Sequence, residues 1–118
     1  MPFIKQDKPV RIPTGDHKTI EEHFGKLSED GGNLSIAHMM APPGWSEPHQ
    51  NPLFDEFTLV SKGRKQIEVD GKEILLTEGQ SILVKKGSRV KYSNPFEEPC
   101  EYWSVCVPPF TPEGANRE

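Results

Sequence analysis

The sequence predicts an all-β protein, a small antiparallel β-barrel, and three observations carry that prediction. Turn signals recur roughly every 8 to 12 residues, the spacing of sandwich and barrel strands. No stretch between them shows the 3.6-residue period of an amphipathic helix. Asp70-Gly71 separates two strand-like runs, and this dipeptide suits the two left-handed central positions of a tight hairpin.

The elements follow in chain order. Phe3, Ile4, Val10 and Ile12 can form an edge strand before Pro13 and Gly15. Thr19–Phe24 reads as a strand, with a helical turn as the alternative, and Gly31-Gly32-Asn33 is a turn. Leu34–Met40 is an apolar-rich strand stopped by Pro42-Pro43-Gly44. Phe57–Ser61 is the next, turning at Lys62-Gly63. Gln66–Val69 and Glu73–Leu76 flank the Asp70-Gly71 hairpin. Ser81–Val84 lies between turns at Glu78-Gly79 and Lys86-Gly87. Arg89–Ser93 and Glu101–Val107 complete the set, stopped by Asn94-Pro95 and Pro108-Pro109. The expected layout is one domain over residues 1–118: a strand arm over 1–33, a barrel core over about 34–107, and a loose polar tail over 111–118.

Composition agrees with one small β domain. In 118 residues there are 12 Pro and 10 Gly, spread along the chain, which suits short strands and turns. A chain of this length buries a little over roughly 60% of its surface, enough for one core. The apolar fraction, 33%, is modest, and a homodimer that completes its core with a second copy is expected. The net charge is −4 and the basic residues are scattered, Lys62–Lys65 being the densest run. No nucleic-acid partner is expected on that basis. No apolar stretch reaches the length of a signal peptide core or a membrane span. Cys100 and Cys106 fall in one strand, roughly 20 Å apart at strand rise, so free thiols and a cytoplasmic setting are expected.

The run from Gly44 to Asn94 resembles the cupin superfamily, whose double-stranded β-helix is a jelly-roll-like barrel. The family's first motif is Gly, five residues, His-x-His, three or four residues, Glu, six residues, Gly. Its second is Gly, five residues, Pro-x-Gly, two residues, His, three residues, Asn. Glu56, six residues and Gly63 match the end of the first, and Gly79, Gly87 and Asn94 keep the spacing of the second. The glycines supply positive φ at turns, so this match speaks of fold.

In metal-bearing cupins the motif histidines and glutamate hold a divalent cation. Here Lys85 replaces the second motif's proline and Val90 its histidine. The first motif fits in two registers. One places Gln50 and Pro52 at the histidine positions; the other places His49 and Asn51 there, with a shorter first gap. The segments Trp45–Glu56, Tyr92–Pro95 and Cys106–Phe110 look like a group of short one-domain cupins that lack the usual histidines.

Glu56, His49 and Tyr92 are the candidate catalytic residues. Glu56 shares a strand face with Thr58 and Val60, and a carboxyl aimed into an apolar barrel needs a metal, hydrogen bonds or a proton. Tyr92 shares a face with Val90 by the two-residue period, next to the missing ligand. Glu47, Gln50, Asn51 and His38 are candidate pocket residues, and His49, Glu56 and Gln50 the candidate ligands of a weakly bound divalent metal. Of the last strand, either Tyr102, Ser104 and Cys106 or Trp103, Val105 and Val107 face the interior. Trp45 and Phe54 read as core or rim packing, and Cys106, with no histidine beside it in sequence, as a packing residue.

Three functions fit. The first is a small-molecule pocket doing acid–base chemistry of an isomerase or lyase with little or no metal. The second is a metal-dependent dioxygenase, isomerase or lyase with an atypical His, Glu and amide ligand set. The third is a binding or sensing module without turnover. A fold used for many reactions does not choose among them.

Overall fold

The computed structural model describes residues 2–118. Ten strands follow in order: β1 Val10–Ile12, β2 Thr19–Phe24, β3 Ser35–Ala41, β4 Trp45–Ser46, β5 Asp55–Lys62, β6 Arg64–Val69, β7 Lys72–Thr77, β8 Ser81–Val84, β9 Val90–Asn94 and β10 Cys100–Val107. A single helical turn, α1 Pro112–Ala115, comes after them. The strands form two antiparallel sheets. The larger has the order β1-β2-β3-β10-β5-β8 and the smaller β4-β9-β6-β7. The two pack face to face as the double-sheet form of the barrel. Their shared core joins Ala41, Val60 and Tyr102 of the larger sheet to Trp45, Ile67, Val90 and Tyr92 of the smaller.

The turn chemistry explains the local layout. Val69 pairs with Lys72 across Asp70 (φ 48°) and Gly71 (φ 85°), a two-residue hairpin with both central residues left-handed. Gly63 has a stricter reason to be glycine. A Cβ there would lie 2.5 Å from the carbonyl oxygen of Pro99, which is backbone and cannot swing aside.

β10 is the central strand, pairing with β3 on one side and β5 on the other. Its burial alternates strictly, with Tyr102, Ser104 and Cys106 inward and Trp103, Val105 and Val107 outward. The phase follows from register. Tyr102, Ser104 and Cys106 stand opposite Val60, Thr58 and Glu56, the inward residues of β5.

Three expectations need correction. The expected first edge strand is shorter than its apolar residues suggest: it forms only over Val10–Ile12, and Phe3 and Ile4 lie outside it and are exposed. β4 is a strand that the sequence does not signal, recruited just after the Pro42-Pro43-Gly44 turn by Asn94 and Ser93 of β9. The tail is not loose. Thr111 caps α1, Ala115 is fully buried, and Arg89 forms a two-pronged pair with Glu118. Backbone bonds from Asn51 to Asn116 and from Glu118 to His49 fasten the tail to the loop before β5. Among the described residues no helix is long and apolar enough to cross a membrane.

Candidate functional site

A cavity of about 40 Å³ lies between the sheets, space for about three water molecules. Glu56 of β5 projects into it and is 9% exposed. Both its oxygens are held. The Tyr92 hydroxyl donates to Oε1 at 3.2 Å, and the Ser104 hydroxyl donates to Oε2. Ser104 reaches it diagonally across the β5–β10 ladder, whereas Tyr92 reaches it from β9 of the opposite sheet. Burial and the nearby Glu56 and Glu47 carboxyls push the Tyr92 hydroxyl well above the usual tyrosine range. It therefore stays a donor at neutral pH.

Lys65 of β6 is the second interior charge-bearing group. It is 2% exposed, and its Nζ lies 3.3 Å from the centre of the Tyr102 ring and 4.5 Å from that of Tyr92. Among the described residues no carboxylate forms an ion pair with it. Burial, with a smaller push from Lys18, lowers the amine to about 7; Glu56 and Glu47 act in the opposite direction. Cys106 also lines the cavity, but burial raises its thiol, which stays protonated.

The mouth is charged. Glu47 accepts ion pairs from Lys18 and from Arg117 of the tail, each at 3.7 Å. Burial raises the Glu47 carboxyl in spite of these cations. Lys18 also lies over the Trp45 ring at 4.6 Å, and the Trp45 indole donates to Asp16 at 2.7 Å. Gln50 is buried beside them, its side-chain oxygen accepting from Arg117 at 3.4 Å.

The two registers of the first motif are now distinguishable. Gln50 and Val90 exchange backbone hydrogen bonds, both at 2.9 Å, and this bridge turns Gln50 inward. With strand-like alternation, residues 49 and 51 turn outward. His49 accordingly does not line the cavity; its ring pairs with Glu68. Asn51 is also absent from the lining and contacts the tail through its backbone. His38 belongs to the outer phase of β3, its ring packed at a tilt of 60° against Trp103 with centroids 4.9 Å apart, while its neighbours Ala37 and Met39 face the cavity. These three are corrections to the expected site. Glu47, Gln50, Glu56 and Tyr92 do come together. Lys65, Ser104, Lys18 and Arg117 were missed by the sequence reading. For Lys65 the signal existed, since it shares a strand phase with Ile67.

The resemblance implies a metal, and the donor set does not fit one. The four motif positions hold Gln50, Pro52, Glu56 and Val90. Pro52 and Val90 have no side-chain donor, Gln50 is engaged by Arg117, and the Glu56 oxygens are taken by Tyr92 and Ser104. The His49, Glu56 and Gln50 set is not assembled. Among the described residues no group of three His, Cys, Asp or Glu side chains converges.

Comparison with known proteins gives the same picture of the fold. Solved structures similar to this chain include KdgF from Halomonas sp. (TM-score 0.71, 12% identity, 86% of this chain and 87% of that one). A cupin 2 conserved barrel domain protein from Salinispora arenicola is another (TM-score 0.69, 16% identity, 91% and 88%). At such identities the likeness concerns fold alone. In sequence, the chain is 46% identical over 115 residues to a Myxococcus xanthus protein named endoribonuclease YbeY. The match takes in 98% of this chain but spans only 39% of that protein's length. The profile of the cupin domain matches residues 37–108, more than half of the sequence, and on that match the chain belongs to the cupin family.

Proposed function

We propose that the cavity binds a small polar molecule and moves a proton on it, with Glu56 as the acid–base group and no resident transition metal. The observation that carries this reading is a carboxyl fixed on both oxygens by Tyr92 and Ser104 inside an enclosed space. Fixing both oxygens holds the group in one orientation, which proton transfer to a bound substrate requires. Isomerisation and elimination both need such a group. A reducing, cytoplasmic setting is part of the same proposal, supported by two cysteines that form no disulfide.

Deuterium exchange from solvent into small carboxylates, carbonyl compounds and sugars, followed by NMR, tests it. Glu56→Gln is expected to lower exchange of an accepted compound about 100-fold or more. Binding without exchange in the unaltered protein would instead identify a binding module. Metal analysis of protein purified without an affinity tag is expected to find transition metal far below one ion per chain. Stoichiometric metal that survives a chelator would turn the reading to a metal-dependent enzyme. RNA cleavage, the activity in the Myxococcus protein's name, ranks second, because a net charge of −4 offers no general attraction for phosphates.

A second copy is the proposed protein partner. Phe57, Leu59 and Leu83 form an apolar patch on the outer face of β5 and β8, 39%, 44% and 40% exposed. Trp103 and Val105 of β10 extend it beside Leu59 and Phe57. Sedimentation at micromolar concentration is expected to give a dimer, and Leu59→Lys a monomer. A monomeric unaltered protein would remove this part of the reading.

A further inference from the structure

Two lysines line the same cavity in opposite circumstances. Lys18, at the mouth, has a carboxylate partner in Glu47 and an aromatic face in Trp45. Lys65, deeper in, has two aromatic faces and no ion pair. A strand in this phase ordinarily places an apolar side chain here, as β6 does at Ile67. An interior amine without a carboxylate partner is destabilised as a cation and left as a free base. A desolvated lysine of this kind is a nucleophile.

We infer that Lys65 forms an imine with a small aldehyde or 2-oxo acid admitted to the cavity. This deepens the proposed function by naming a substrate class, the short-chain carbonyl compounds, and it rests on that reading of the cavity as a ligand site. The neutral Nζ attacks the carbonyl carbon, forming a C–N bond as the C=O π pair moves to oxygen. That oxygen gains a proton and the nitrogen loses one, giving a carbinolamine. The nitrogen lone pair then forms C=N as the C–O bond breaks, a second proton makes the leaving group water, and the nitrogen gives up its remaining proton. Amine plus carbonyl thus become imine plus one water, with no oxidation or reduction. Glu56, hydrogen-bonded to Tyr92 and Ser104, relays the protons.

The geometry narrows the substrate. A space for about three waters admits a compound of about three non-hydrogen atoms, the size of acetaldehyde, without rearrangement, and a 2-oxo acid such as glyoxylate only with displacement of lining side chains. The titratable groups that face it besides Lys65 are Lys18, Glu47 and Arg117 at the mouth, with Glu22, Glu56, Tyr92, Tyr102 and Cys106 further in. Lys18 and Arg117 could receive the carboxylate of a 2-oxo acid only by sharing it with Glu47, which already pairs with both. An uncharged aldehyde meets no such competition. The lowering of the amine to about 7 means that roughly half of it is unprotonated at neutral pH, ready to react.

The purified full chain, incubated with acetaldehyde or glyoxylate and sodium cyanoborohydride, tests the inference by intact mass and peptide mapping. The reductant converts an imine to a stable secondary amine. One adduct per chain is expected, on Lys65, formed at least tenfold faster than at any surface lysine. Its rate should rise with pH through a midpoint near 7, well below the ordinary range of a lysine side chain. Lys65→Met should lose that adduct while keeping the unaltered protein's circular dichroism spectrum and cooperative melt. Should Lys65→Met unfold, mapping of the unaltered protein still decides. Adducts spread over surface lysines with Lys65 unmodified would overturn the inference. Glu56→Gln separates it from the proton-transfer reading. Loss of deuterium exchange with trapping absent from the unaltered protein would sink the imine alone; trapping with exchange untouched by Glu56→Gln would sink the acid–base role alone.

Discussion

Lys65→Met is expected to stabilise the fold at pH 7 by about 4 kcal/mol and to flatten its dependence on pH between 7 and 10. In the folded protein the amine titrates at about 7, and in the unfolded chain near about 10.4. Between those values the unfolded chain binds a proton that the folded one does not. Stability of the unaltered protein therefore rises with pH across this window. The cost of burying the amine is absent above about 10.4 and complete below about 7. A tenfold change in proton affinity is worth about 1.4 kcal/mol, so the full cost approaches about 5 kcal/mol. At pH 7, where half of the folded amine is protonated, about 4 kcal/mol of that cost applies. Methionine matches the length of the lysine stem and packs well against aromatic rings. Urea unfolding of both proteins from pH 6 to 10 measures the difference. If the methionine variant keeps the original pH slope, another group is responsible.

Asn94→Asp is expected to destabilise by about 3 kcal/mol, the cost of leaving buried polar groups unsatisfied. Asn94 is completely buried. Its Nδ2 donates to the carbonyls of Ala41, Pro42 and Glu98 at 3.2, 3.2 and 2.9 Å, and its Oδ1 accepts from the Phe96 amide at 3.2 Å. Aspartate keeps the acceptor but turns a carboxyl oxygen towards three carbonyl oxygens. Asn94→Ala, which introduces no like-polarity contact, should cost less, about 2 kcal/mol. The effect extends to the site, because Asn94 pairs with Trp45 in β4 and so holds the segment that carries Glu47. Denaturation midpoints give the order of the three proteins, and equal midpoints for Asp and Asn would show that the carbonyl contacts contribute little.

The strands were legible because their signals are local. Alternation of apolar and polar residues sets the phase of a strand from within it, and Asp70-Gly71 specifies its turn without help from the remainder of the fold. Glu56 and Tyr92 could be placed for the same reason. Glu56 shares a phase with Val60, and Tyr92 lies two residues beyond Val90, whose position in the motif points inward. Asn94 was recognised by spacing, but its three carbonyl partners lie at the end of β3, in the turn after it and in the loop before β10, and were not readable from one segment.

The remainder depended on distant segments meeting. His49 and Gln50 differ by one residue, and the motif tolerates either gap; the backbone bridge from Gln50 to Val90, forty residues on, chose between them. Lys65 carries an inward phase, but a lysine in a charged run reads as a solvated side chain until the opposite sheet covers it with Tyr102. Polar composition made the tail look free, whereas hydrogen bonds to residues 49 and 51 and the Arg89–Glu118 pair hold it at the cavity mouth. The sequence by itself determined most of the strands, their turns and the inward phase of Glu56 and Tyr92, since backbone conformation and alternation are properties of neighbouring residues; β4 and the phase of β10 waited for register with their partners. The tertiary structure decided which side chains share the cavity, since that depends on pairing between segments far apart in the chain.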